Sequence, residues 1–313
     1  MCMLWSNPDS CCGPSRMAFG ALDQGVTMSR NRVLKQIVAR RDATIVPGVA
    51  NAMFARAVAD SGFEAVYVTG AGVTNMRLGA PDHGFIGLWE LADTLFQIAE
   101  AVEIPIIVDC DTGFGSPTNV VRAVRTFERA GASALHIEDQ VFPKKCGHFA
   151  GKQVIPVDEM VQKIKAATDA RHEGDFQIIA RTDAAAVNGF EDAMDRAAAF
   201  VEAGADITFV EAPTSLEQLA DIPRRLAVPQ LANMVYGGKT PEPGREELAR
   251  MGFSIVIYAN AILQASLRAT YGVLHGLKQD GSLAGVADML ATFDERQQAV
   301  GKPYWDDLER NYG

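Results

Sequence analysis

From Val33 onward the chain alternates between short apolar runs and longer amphipathic stretches. The runs Thr44–Pro47, Ala65–Thr69, Pro105–Asp109, Ala134–Glu138, Phe176–Arg181, Ile207–Glu211, Val228–Asn233 and Ser254–Tyr258 are rich in β-branched residues. Their spacing, roughly 20 to 40 residues, predicts parallel strands joined by helical crossovers. Helical patterns occupy Phe54–Ser61, Val120–Ala130 and Ala193–Ala203. Each is stopped by a glycine (Gly62, Gly131, Gly204) suited to the left-handed C-terminal cap. Eight such units predict an α/β fold, a closed (β/α)8 barrel of the TIM type, in preference to a doubly wound open sheet.

The two ends of the chain read differently. Residues 1–28 show no helical or strand period and are expected to form a loose extension, leaving 29–313 as one barrel domain with a helical tail. The vicinal pair Cys11-Cys12 reads as filler rather than as a metal or redox site. After the eighth unit, Met289, Leu290, Phe293, Tyr304, Trp305 and Leu308 need a surface to cover, on this barrel or on another copy.

Composition narrows the classes. The 313 residues are 48% hydrophobic and 22% charged, an ordinary globular balance. A net charge of −10 argues against nucleic acid and anionic membrane as partners. No apolar run reaches the roughly 18 residues of a membrane span. Five scattered cysteines do not form a disulfide framework, which suits a reducing, cytoplasmic setting.

Chemistry collects at the predicted strand ends: Thr69-Gly70, Asp109 and Asp111, Glu138-Asp139, Arg181-Asp183, Glu211, Asn233 and Asn260. In a barrel these ends converge on one face, where active sites are built. Asp109 and Asp111, at i and i+2, are expected to share a face with Glu138 beside them. Carboxylates so close repel unless a cation shares them, and an all-oxygen set favours Mg²⁺, or Mn²⁺. The alternative is that Asp111 caps the next helix near Thr118-Asn119. Downstream, Lys144-Lys145-Cys146-Gly147-His148 surrounds a thiol with two cations and an imidazole, which favours a reactive thiolate. Gly147 and Gly151 would let this segment close over a substrate; a solvated basic turn is the plainer alternative.

Lys144–His148, preceded by His136-Ile137-Glu138-Asp139-Gln140, resembles the signature of the isocitrate lyase and phosphoenolpyruvate mutase superfamily. The likeness runs from about Pro47 to about Ala269. It takes in Ala80–Gly84, Asp109–Gly115, Ile179–Asp183, Val210–Ala212, Ala232–Met234 and Gly237–Pro241. The resemblance implies Mg²⁺ held through Asp109, Asp111 and Glu138, with Asp82 close by. It also implies a carboxylate cradle at Thr69-Gly70-Ala71-Gly72 and a pocket lined by Tyr67, Arg181, Glu211 and Asn233.

The implied reaction is cleavage of C2–C3 in a small 2-hydroxy di- or tricarboxylate, through an enolate, to a keto acid and a second acid. Arg181 would neutralise a carboxylate of the leaving fragment, and Cys146, carried by its loop with Lys144, Gly147 and His148, would protonate that fragment. Tyr67, Glu211 or a metal-bound water could take the hydroxyl proton. Phe149-Ala150-Gly151-Lys152 resembles dimethylmalate lyases, oxaloacetate hydrolases and carboxyphosphonoenolpyruvate phosphonomutases more than methylisocitrate lyases. Ala259-Asn260 resembles the phosphoenolpyruvate mutase branch, which keeps a phosphonomutase open beside an oxaloacetate hydrolase as the alternatives. A ligand-binding barrel without catalysis is the reading outside enzymes. Relatives swap their last barrel helix between subunits, so the resemblance implies a homotetramer.

Several residues carry plainer expectations. His136 is read as a satisfied core histidine, Cys110 as buried and inert, His83 as peripheral, and His172 and His275 as surface.

Overall fold

The computed structural model describes residues 28–145 and 151–313. The expected extension at 1–28, the Cys11-Cys12 pair and the segment Cys146–Ala150 therefore lie wholly or almost wholly outside the described residues. Among the described residues the order is α1 (Arg30–Ala39), β1 (Thr44–Val49), α2 (Ala52–Asp60), β2 (Val66–Val68), α3 (Gly70–Leu78), α4 (Leu88–Ala101), β3 (Ile106–Asp109) and α5 (Pro117–Arg129). Then come β4 (Ala134–Glu138), α6 (Val157–Ala170), β5 (Gln177–Thr182), α7 (Phe190–Glu202), β6 (Ile207–Val210), α8 (Leu216–Arg225), β7 (Leu231–Asn233), α9 (Arg245–Met251) and β8 (Ile255–Tyr258). Three helices follow: α10 (Ala261–Asp280), α11 (Phe293–Ala299) and α12 (Lys302–Tyr312).

The strands pair in parallel in the order β6-β5-β4-β3-β2-β1-β8-β7. A parallel bridge between Thr208 and Gln230 joins the two ends, supported by the Thr208 hydroxyl donating to Gln230 Oε1 at 2.7 Å. The sheet is thus a (β/α)8 barrel, as the strand and helix rhythm predicts. No helix among the described residues is long and apolar enough to cross a membrane.

Strand alternation decides what reaches the site. Inward-facing Val46, Tyr67, Ile107, Ala134, Ile179, Ile207, Phe209, Leu231, Ile255 and Ile257 form one core, closed below by Leu34, Ile37 and Val38 of α1. The residues between them, such as Val66, Val68, Ile106, Val108, Leu135 and Ile137, pack outward against the helices. Two residues above Ile107 comes Asp109, two above His136 comes Glu138, and two above Ile179 comes Arg181. The interior column therefore turns from apolar to ionic at the C-terminal mouth. Cys110, out of phase with Asp109, joins the outer core as a free, buried thiol whose pKa burial pushes well up.

Helices α2, α5 and α7 begin two or three residues before the predicted runs, at Ala52, Pro117 and Phe190. Asn51 caps α2 by accepting from the Phe54 amide at 2.9 Å, and Ser116 with Asn119 forms a capping box on α5. That cap also removes the alternative role for Asp111. Gly62, Gly131 and Gly204 all take positive φ, as a left-handed cap requires.

Candidate active site

The strand ends enclose a cavity of about 170 Å³ lined by Tyr67, Thr69, Ala71, Asp82, Asp109, Glu138, Lys144, Lys145, Arg181, Glu211, Asn233, Val235, Ala259 and Asn260. That is below the roughly 300–1,000 Å³ of sites for drug-sized ligands, and it suits a small acid. Its rim meets a larger, open cavity of about 660 Å³ at Val235 and Asn260.

The acidic floor is built by β3 and β4. Asp109 Oδ2 accepts from the Gly70 amide at 3.2 Å and Oδ1 from the Asp111 amide at 3.0 Å. Burial opposes ionisation of Asp109, but the charges around it, Lys144 and Arg181 among them, and the bond from the Asp111 amide hold its carboxyl well below the usual carboxylate range. The Gly70 amide is thus engaged inside the protein. A side chain at Gly70 would stand 2.9 Å from Asp109 Oδ2, so Gly70 serves close approach rather than lining the cavity. Thr69 and Ala71 do line it, and Thr69 caps α3 by accepting from the Gly72 amide at 3.2 Å.

Asp111 departs from the expected strand geometry. β3 ends at Asp109, and Asp111 follows in a left-handed turn at φ +46°, a conformation Asp tolerates better than most residues. Its carboxylate lies 2.6 Å from Lys144 Nζ rather than on the cavity wall. Burial pushes the Asp111 carboxyl up to about 7, with Lys144 opposing. Lys144 Nζ also donates to Asp82 Oδ2 at 2.6 Å, so this buried ammonium joins two carboxylates from separate loops.

Glu138 and Arg181 are register partners on β4 and β5. Arg181 Nη1 lies 3.3 Å from Glu138 Oε2, while Glu138 Oε1 is buried without a hydrogen-bond partner among the described residues. Burial pushes the Glu138 carboxyl well up. The Arg181 guanidinium lies over the Phe209 ring at 5.1 Å and donates from Nε to Asp183 Oδ2 at 2.9 Å. Across the mouth, Asn233 Nδ2 donates to Glu211 Oε2 at 3.4 Å, and the Thr69 hydroxyl donates to Asn260 Oδ1 at 3.4 Å.

His136 is buried, as expected, and sits 2.6 Å from the Tyr67 hydroxyl and 3.4 Å from Asp109 Oδ1. Burial pushes its imidazole down to about 4, so it is neutral, and the buried Tyr67 hydroxyl is pushed well up and stays protonated. His172 and His275 are exposed, and His83 is half-buried.

Cys146, Gly147 and His148 lie outside the described residues, so their expected roles rest on sequence alone. The chain on either side is anchored. Gln140 donates to the Lys145 carbonyl at 2.8 Å and accepts from its amide at 3.0 Å. Lys152 Nζ donates to Asp183 Oδ1 at 2.6 Å. The sequence pattern gave Gln140 and Lys152 no role of their own and Lys145 only that of a cation beside the thiol. Their signal was the motif itself, in which only the thiol and its nearest neighbours had an evident chemistry.

Among the described residues no group of three or more His, Cys, Asp or Glu can hold a metal unaided. The donor set still fits Mg²⁺. The bare Glu138 Oε1 and the Asp109 carboxylate offer hard oxygens, and Mg²⁺ keeps several waters rather than demanding a full protein cage.

Comparison with known proteins agrees with this geometry. The family model described as phosphoenolpyruvate phosphomutase matches residues 34–278. Over 279 residues the chain is 40% identical to a 2,3-dimethylmalate lyase of Eubacterium barkeri, spanning 89% of this chain and 96% of that one. Over 269 residues it is 46% identical to a 2-methylisocitrate lyase of Aeropyrum pernix, spanning 86% of each. An oxaloacetate acetylhydrolase solved with 3,3-difluorooxalacetate superposes with a TM-score of 0.85 at 34% identity, covering 90% of this chain and 97% of that one. A phosphonopyruvate hydrolase solved with oxalate and Mg²⁺ gives 0.82 at 28% identity, covering 91% and 99%. The chain belongs to the phosphoenolpyruvate phosphomutase family, within the isocitrate lyase and phosphoenolpyruvate mutase superfamily.

Proposed function

We propose that this enzyme cleaves the C2–C3 bond of a small 2-hydroxy dicarboxylate of the dimethylmalate or methylisocitrate type. One observation carries the reading. A cavity of about 170 Å³ sets Arg181 and Lys144 against Asp109 and Glu138 at the barrel mouth, in a chain similar to lyases for such acids.

Asp109 and Glu138 would hold Mg²⁺, with Asp111 and Asp82, both paired to Lys144, close by. When bound, Mg²⁺ supplies positive charge where the C2 oxygen gains negative charge. Arg181, held over Phe209, meets a carboxylate of the fragment that departs as an enolate. Tyr67 is protonated and hydrogen-bonded to a neutral imidazole, so of the two candidate side chains Glu211 is the one placed to take the C2 hydroxyl proton. As C2–C3 breaks, its electron pair passes to the leaving fragment, and Cys146 delivers a proton to that carbon. The resemblance to helix-swapped tetramers supports a homo-oligomer.

The test is Mg²⁺-dependent release of a 2-keto acid from a panel of diacids that includes 2,3-dimethylmalate and 2-methylisocitrate. Release from one or more supports the reading, and none from any overturns it. The Ala259-Asn260 wall of the cavity favours one other reading, a phosphonomutase. That enzyme would give a rearranged phosphorus resonance by ³¹P NMR and no C–C cleavage.

A further inference from the structure

Lys152 lies beneath the site without lining the cavity, and its side chain is only 2% exposed. Its ammonium meets Asp183 Oδ1 at 2.6 Å, and Asp183 has no solvent exposure at all. The same carboxylate accepts from Arg181, at Oδ2 from Nε (2.9 Å) and at Oδ1 from Nη2 (3.2 Å). Asp183 is itself fixed, because its amide donates to Asp139 Oδ1 at 2.9 Å.

Arg181 thus stands between two carboxylates, Asp183 on one edge and Glu138 on the other. Asp183 cancels the charge of Arg181, and Glu138 on the other edge can only add negative charge, so the trio has no positive charge to offer an entering anion. Lys152 adds one unit of positive charge to the group. Among the described residues the other cations nearby are already engaged: Lys144 by Asp82 and Asp111, Lys145 by the Gly151 carbonyl, and Arg196 by Asp139 and Asp192. An ammonium taken this far out of water needs a role that its geometry repays.

We propose that Lys152 is a positioning residue which, through Asp183, keeps the charge of Arg181 available to a substrate carboxylate. The inference rests on the reading of Arg181 given above, and its test separates the two. Malate and lactate differ by one carboxylate, so the ratio of their affinities isolates the partner of that group. The full chain is titrated with each, in magnesium buffer, by calorimetry. Removing one unit charge behind Arg181, at an effective dielectric of about 20, lowers the malate-to-lactate ratio by roughly tenfold in Lys152→Met. Lys152→Arg keeps the wild-type ratio.

The double variant Lys152→Met/Asp183→Asn restores the wild-type net charge around Arg181 and removes the buried carboxylate that Lys152→Met leaves uncompensated. It regains the wild-type ratio within about threefold. It also serves as the test if Lys152→Met alone does not fold. A merely structural role predicts no such recovery, so a double variant with a ratio as low as Arg181→Met overturns the proposal. So does a Lys152→Met protein that keeps the preference while Arg181→Met loses it. If Arg181→Met itself keeps the preference, the reading of Arg181 fails and this inference falls with it.

Discussion

Asp183 shows how one residue beneath a site sets its electrostatics. Lys152 and Arg181 together hold its carboxyl down to about 2, against burial that opposes them. A carboxyl lowered in the folded state stabilises the protein above its unfolded pKa, and that stability is lost as pH falls through the folded value. Asp183→Asn leaves Lys152 buried without its carboxylate and should cost about 3–5 kcal/mol near pH 7. The stability gap from wild type, read from urea unfolding, should hold above about pH 4 and shrink toward pH 2. A gap unchanged across that range would show that the pair does not ionise as the geometry requires. Cys146 and Asp111 test the chemistry at the same scale. Cys146→Ala should keep Mg²⁺ binding and slow the chemical step by roughly 10² to 10⁴. Asp111→Ala should weaken metal and substrate binding together. A Cys146→Ala enzyme within a few-fold of wild type on its substrate would refute proton delivery by the thiol.

At the scale of elements, β1 and β8 come into unusual contact above their ladder. A Cβ on Gly48 would sit 2.0 Å from the Ala259 carbonyl oxygen, backbone against backbone. This closeness lets the chain after β8 lean over the mouth and bring Asn260 to Thr69. Gly48→Ala should therefore destabilise the fold by about 1–3 kcal/mol and raise KM more than it lowers kcat. An unchanged KM would mean that Asn260 keeps its place without that contact. Strand ends of this kind were largely legible beforehand, because a period of two places Asp109, Glu138 and Arg181 on the face of Ile107, His136 and Ile179. Asp111 was not, since a left-handed turn breaks the period and sends its carboxylate to Lys144. Gly70 misled for a related reason: a glycine at a helix start suggests an anion cradle, and only the fold shows its amide taken by Asp109. The role of Lys152 depends on a pairing across 31 positions of sequence, which no local pattern encodes.

The whole molecule carries more apolar surface than its own barrel covers. In α10 only Gly276 is buried, and Leu267, Tyr271 and Leu274 are each more than half exposed. In α11 and α12 no residue is buried. Deleting residues 282–313 should lower the mass measured by light scattering while leaving the strand-end cluster folded, and an unchanged mass would refute a role for this tail in assembly. The barrel itself is unevenly closed. Seven of its junctions are ladders between strands, whereas β6 and β7 meet through the single bridge of Thr208 and Gln230. Amide hydrogens near that seam should exchange with deuterium sooner than those of β3, β4 and β5, because fewer bonds must break to expose them. Glu211 and Asn233 face each other above the same gap. A diacid bound between them would act as a clasp, so the slowest-exchanging ring of the barrel should be complete only when the enzyme is loaded.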